Sequence, residues 1–204
     1  MRTTAPAPEL LADHTGKPRA RFETDLTYEQ TRLGLAFREA GHAVLAMAYG
    51  MHVETTEVIA WTNEAAGVSV TGTTTFQVLN PCPWQFAAQA AAGELAHVHH
   101  LLTYGLWTPD RAATCTADHD REHAVDVLAQ SGFRLGRDHV PAGGRSWAMV
   151  RGMARRKVTH LWPEICAVAH AMDARDRLTG DEISALTGLA QASAVVEGEV
   201  AWGP

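Results

Sequence analysis

The stretch Phe37-Arg38-Glu39-Ala40-Gly41-His42-Ala43-Val44 decides how this chain is read. It departs at one position from H-E-x-x-H, a helical pattern whose two histidines bind zinc one turn apart while the glutamate activates a water. Glu39 and the second histidine, His42, are kept, and Arg38 stands where the first histidine belongs. A guanidinium carries a permanent charge and only donors, so it cannot ligate a metal. Glu39 and His42 remain three residues apart, a spacing that turns both toward one helix face.

Outward from this stretch, Thr27 and Gln30 make a capping box that opens a helix, and Gly50 stops it. Leu33, Ala36, Phe37, Ala40, Ala43, Val44 and Met47 recur at helical spacing and predict its buried face, with Glu39 and His42 at the boundary. His52–Ala60 and Gly67–Phe76 are β-rich, and with the loop 63–67 they predict an antiparallel pair. Phe86–Tyr104 reads as an alanine-rich helix, and Asp120–Gln130 as another, capped by Thr116 or Asp118. Ser131–Gly144 reads as a loop. A helix is expected over Ser146–Asp173, where Pro163 is either a break or a new first turn. Thr179 and Glu182 form a second capping box, opening a last helix to about Val196. Residues 1–25 read as a flexible leader, and 26–200 as a single domain with its C-terminal helices from about 145. The expected class is α+β, mostly α, with a small antiparallel sheet.

Composition narrows the function. The chain has 204 residues, 46% hydrophobic and 20% charged, which suits one well-cored domain. A formal net charge of −6 and no basic stripe argue against nucleic acid; Arg151–Lys157 reads as a solvated helix face. No apolar run reaches the roughly 18–20 residues of a membrane span, and no signal-peptide core is seen. Cys82, Cys115 and Cys166 are odd in number and match no zinc or disulfide framework, so they read as buried small residues in a cytoplasmic protein.

Four blocks in order resemble the peptidase domain of FtsH-type ATP-dependent zinc proteases. They are Phe37–Val44, the β pair with Val58-Ile59 and 66–69, Ala90-Ala-Ala-Gly-Glu94-Leu, and Thr116-Ala-Asp-His-Asp120-Arg-Glu-His-Ala124. Leu161–His170 and Leu178–Ile183 extend the likeness, which spans about residues 28–190. The resemblance implies an FtsH-type metalloprotease-like helical domain, Glu39 as general base, and His42 and Asp120 as metal ligands. It implies the strand segment with Val68 and Val70 as the place where a substrate peptide lies. The chain departs from the family in Arg38, and it has no P-loop for ATP and no membrane anchor.

Three carboxylate-x-x-histidine pairs bear on the metal: Glu39/His42, Glu94/His97 and Asp120/His123. Each pair faces one way on a helix, and such pairs build di-iron or di-manganese bundles. Glu94, His97 and His123 are therefore candidate substitute ligands, as are His99, His100 and His119. The bland alternative is chance spacing on histidine-rich helices. Arg38 is expected either to pair with Asp120 or Glu94, replacing a lost divalent charge, or to bind a carboxylate or phosphate of a ligand. Three functions follow. One is an enzyme with a remodelled metal site, zinc foremost, acting on a peptide or amide-type substrate. Another is a pseudopeptidase holding a peptide or partner protein. The third is a dinuclear iron or manganese redox enzyme.

Overall fold

In a computed structural model, residues 5–19, 24–63, 67–79 and 82–193 are described. The fold is α+β and mostly helical, built around helix α1 (Tyr28–Ala48). The expected capping box is present: Thr27 accepts from the Gln30 amide, and the Gln30 side chain accepts from the Thr27 amide. Every residue from Ala36 to Met47 is buried, because α1 is covered on several sides. The hairpin β1 (His52–Asn63) and β2 (Gly67–Gln77) packs on it, as do α3 (Ala92–Thr103) and α7 (Trp162–Arg175). The small residues of α1 permit this. A Cβ on Gly41 would lie 2.6 Å from Ala96 Cβ and 2.9 Å from the Ala92 carbonyl oxygen, so only glycine lets α3 approach so closely.

The sheet order is β2-β1-β5, all antiparallel, with Thr56 opposite Thr74 on one side and Leu178 on the other. The third strand, β5 (Arg177–Thr179), lies outside any stretch the pattern of alternation marks. The Phe86–Tyr104 helix is in fact two, α2 (Pro83–Ala90) and α3, meeting at Ala91. A short α4 (Pro109–Thr114) precedes α5 (Asp118–Gln130). Within the expected loop, β3 (Leu135–Gly136) makes a brief parallel pair with β4 (Arg145–Ser146), which follows the loop directly. Pro163 opens a new first turn, dividing α6 (Trp147–His160) from α7. α8 (Gly180–Thr187) ends at Gly188 in the left-handed conformation, short of the expected Val196, which lies outside the described residues.

The expected flexible leader is folded over residues 5–19; the rest of it to residue 23 lies outside the described residues. Pro8–Leu11 form a 3-10 turn, and Ala12 bridges Pro18. No helix among the described residues is long and apolar enough to cross a membrane. Of the cysteines, Cys115 is buried and Cys166 half-buried, but Cys82, at the N-cap of α2, is exposed.

Candidate functional site

α1, α2, α5, β2 and the 5–19 segment enclose a cleft of about 330 Å³. α1 supplies Arg38, Glu39 and His42; α5 supplies His119, Asp120 and His123; β2 supplies Gly72, Thr73, Thr74 and Phe76. Asp120, rather than Asp118, faces inward. The Asp118 side chain is 68% exposed and pairs with Arg121.

Arg38 reaches across to Asp120. Its Nη2 donates to Asp120 Oδ2 at 2.5 Å and its Nη1 to the Cys115 carbonyl at 3.1 Å. The expected charge pair is thus present, and the Arg38 side chain is 10% exposed. The other carboxylate oxygen, Oδ1, lies 3.2 Å from His119 Nε2, and His42 Nε2 lies 3.4 Å from Oδ2. Burial pushes the Asp120 carboxyl up, but Arg38, His42 and His119 outweigh it and hold the group well below the usual carboxylate range.

His42 is oriented from behind. Its Nδ1 is 3.0 Å from the Gln89 carbonyl, and a carbonyl only accepts, so Nδ1 carries the proton and Nε2 faces Asp120. The Gln89 amide returns a bond to the His42 carbonyl at 3.3 Å. Burial lowers the His42 pKa, yet Asp120 and then Glu39 more than offset this and leave it above its ordinary value. Gly93 makes room for the ring: a Cβ there would lie 2.1 Å from His42 Nε2.

Glu39 is fixed by the sheet. Thr74 Oγ1 donates to Glu39 Oε2 at 2.8 Å and is itself 2.9 Å from Thr56 Oγ1. Gly72 is needed beside it, since a Cβ would fall 2.5 Å from Glu39 Cγ. Burial, with Arg38 adding to it and Asp120 opposing, leaves His119 neutral, its pKa pulled down to about 4. The His123 ring stacks on His14 at 5.0 Å and meets Phe86 edge-on, and burial lowers its pKa too.

Other expected site residues lie elsewhere. Glu94 is bound to Arg151 at 2.6 Å and does not line the cleft. His97 is packed on Gly34, with its pKa pulled down to about 3 by burial and by Arg38. His99 stacks on Trp162, and His100 is buried between Phe37 and Tyr104. The three carboxylate-x-x-histidine pairs therefore do not converge. Among the described residues, no three histidine, cysteine, aspartate or glutamate side chains are arranged to hold a metal ion. Val68 and Val70 precede the part of β2 that lines the cleft; Val68 is exposed, and Val70 packs against the core. Thr74, Gln89, Gly72 and Gly93 are site residues that sequence reasoning missed. Gly72 and Gly93 act by close approach, Gln89 by bonds involving backbone carbonyls, and Thr74 by a hydroxyl reaching from another element, none of which leaves a spacing to read.

No known protein family matches the chain, and no characterised protein resembles it significantly in sequence. The geometry therefore carries the functional argument. Zinc would need neutral histidine and free carboxylate donors. Here a fixed cation, Arg38, already holds Asp120 Oδ2, and His42 Nε2 and His119 Nε2 both lie against that carboxylate rather than around an open position, so these residues do not fit a zinc ion.

Proposed function

We propose that this chain is a peptidase-derived binding protein of FtsH-type architecture, a pseudopeptidase whose cleft holds a peptide or a segment of a partner protein without a metal. The observation that carries this reading is the Arg38–Asp120 pair, with a buried guanidinium and a half-buried carboxylate. The guanidinium supplies locally the positive charge that a metal would bring, and its second bond, to Cys115, ties it to the protein. Removing Asp120 alone would leave the buried Arg38 guanidinium without its carboxylate.

What remains suits a peptide. β2 is the terminal strand of the sheet, so its outer backbone groups can receive an extended chain by strand addition. The part of β2 that would receive it carries Gly72, Thr73, Thr74 and Phe76, which line the cleft. Beyond it lies an apolar hollow of about 400 Å³ lined by Phe76, Val78, Phe86 and Val127, suited to an apolar side chain.

Zinc titration by calorimetry of the parent and of Arg38→His tests the reading. Arg38→His restores two imidazoles one turn apart, with Asp120 freed as third ligand, and His42 already has its backing bond. The variant should bind zinc about 1,000-fold more tightly than the parent, roughly 4 kcal/mol. One zinc per parent chain at submicromolar affinity would overturn the proposal. A second reading, hydrolysis assisted by Glu39 alone, is favoured by one observation: Thr74 fixes Glu39 Oε2 at the cleft wall. It requires a peptide turnover by the parent that Glu39→Gln abolishes.

A further inference from the structure

The 5–19 segment contributes Glu9, Ala12, Asp13, His14 and Arg19 to the wall of the cleft, facing Arg38, Glu39, His42 and Asp120. It is a shaped element. The Asp13 carboxylate accepts from the Thr15 and Lys17 amides at 2.8 and 3.0 Å, the Asp13 amide donates to the Lys17 carbonyl at 2.7 Å, and the Arg19 amide donates to the Leu11 carbonyl at 2.9 Å. Gly16, with φ +82°, makes the turn. The Arg19 side chain closes the loop by donating to the Ala12 carbonyl at 2.8 Å.

Among the described residues, its side-chain hydrogen bond to the helical body is made by His14. His14 Nε2 lies 2.7 Å from Asp126 Oδ2, and the His14 ring stacks on His123. The Asp126 side chain is 51% exposed, and a polar contact at such a site holds weakly. A preshaped turn that walls a peptide-binding cleft and is tied to α5 by a histidine has the form of a displaceable ligand.

We infer that residues 5–19 are an intramolecular ligand of the cleft's rim, a tethered turn that walls the cleft in cis and must be displaced before another peptide enters. This rests on the peptide-binding reading above. Tethering gives the segment an effective concentration on the order of millimolar, so a free peptide of ordinary affinity competes poorly with it. Loosening the tethered copy alone should open the cleft to the same sequence supplied in trans.

The test uses the full chain and a fluorescent synthetic peptide of residues 5–19, followed by anisotropy. His14→Ala removes the anchor from the tethered copy and leaves Asp126 and His123 for the added peptide's own histidine. The variant should bind the peptide at least tenfold more tightly than the parent. His14→Ala combined with Asp126→Asn, which removes the receiving carboxylate, should lose that gain. In the parent, the Asp13 and Arg19 amides should exchange with solvent at least tenfold more slowly than in the free peptide. Equal, measurable affinity in parent and His14→Ala overturns the inference and leaves the peptide-binding reading standing. No binding to either protein overturns both. Amides that exchange in the parent as they do in the free peptide overturn the inference regardless of affinity.

Discussion

His100 is fully buried between Phe37 and Tyr104, each ring 4.6 Å away, and neither of its nitrogens has a hydrogen-bond partner among the described residues. A buried polar group left unsatisfied costs stability, whereas an apolar group of similar size does not. His100→Leu should therefore stabilise the fold by about 1 kcal/mol, read as a higher urea midpoint with unchanged slope. A lower midpoint would mean the ring stack outweighs the missing bonds. At this scale the sequence conveyed part of the cleft. Glu39, His42 and Asp120 were legible because helical spacing and block order carry them, and the Arg38–Asp120 pair followed from charge replacement. The positions of Glu94 and His97 were not legible. Their spacing matches Glu39 and His42, but Arg151 and Gly34 capture them, and only the packed structure brings those partners close.

At the scale of elements, Thr179 serves twice. It ends β5 opposite Thr55, and it caps α8, accepting from the Glu182 amide while its own amide donates to Glu182 Oε2 at 2.8 Å. Thr179→Ala should cost about 1 kcal/mol, with faster amide exchange in α8 and β5 together. If α8 alone loosens, cap and strand are independent. α1, β1 and β2 were readable because each has a long pattern with punctuation at its ends. β5 was not, since three residues show no alternation and the strand exists only because β1 offers an edge. The break at Ala91 has neither glycine nor proline to mark it. Residues 5–19 have a composition that suits an unfolded chain, and their order comes from the Asp13 turn and the distant contact of His14 with α5.

Across the whole molecule, buried histidines set the response to acid. Burial pulls His97 down to about 3 and His100 to about 4, below the 6.5 of a free imidazole. Between those values and 6.5 the unfolded chain binds more protons than the folded one, so stability falls as pH falls. His42 has the opposite sign: its pKa is raised, so its contribution is complete below 6.5 and is lost as pH climbs through the folded value. A tenfold difference in proton affinity between the folded and unfolded chain corresponds to about 1.4 kcal/mol, and His119, pulled down to about 4 by burial, acts with His97 and His100 on the acid side. The melting temperature should therefore drop steeply from pH 6.5 to 4.5, and His100→Leu should flatten that drop. An unchanged slope in the variant would remove His100 as a cause.

The unequal exposure of the three cysteines makes the protein ready for site-specific labelling. Cys82 is open to solvent, while burial pushes the Cys115 thiol up to about 12 and raises that of Cys166. Since the thiolate is the reacting form, a maleimide dye near neutral pH would attach at Cys82. That residue begins the same helix that carries Phe86 and Gln89 into the cleft. A dye there would report arrivals and departures at the cleft in the native sequence, with no cysteine added or removed.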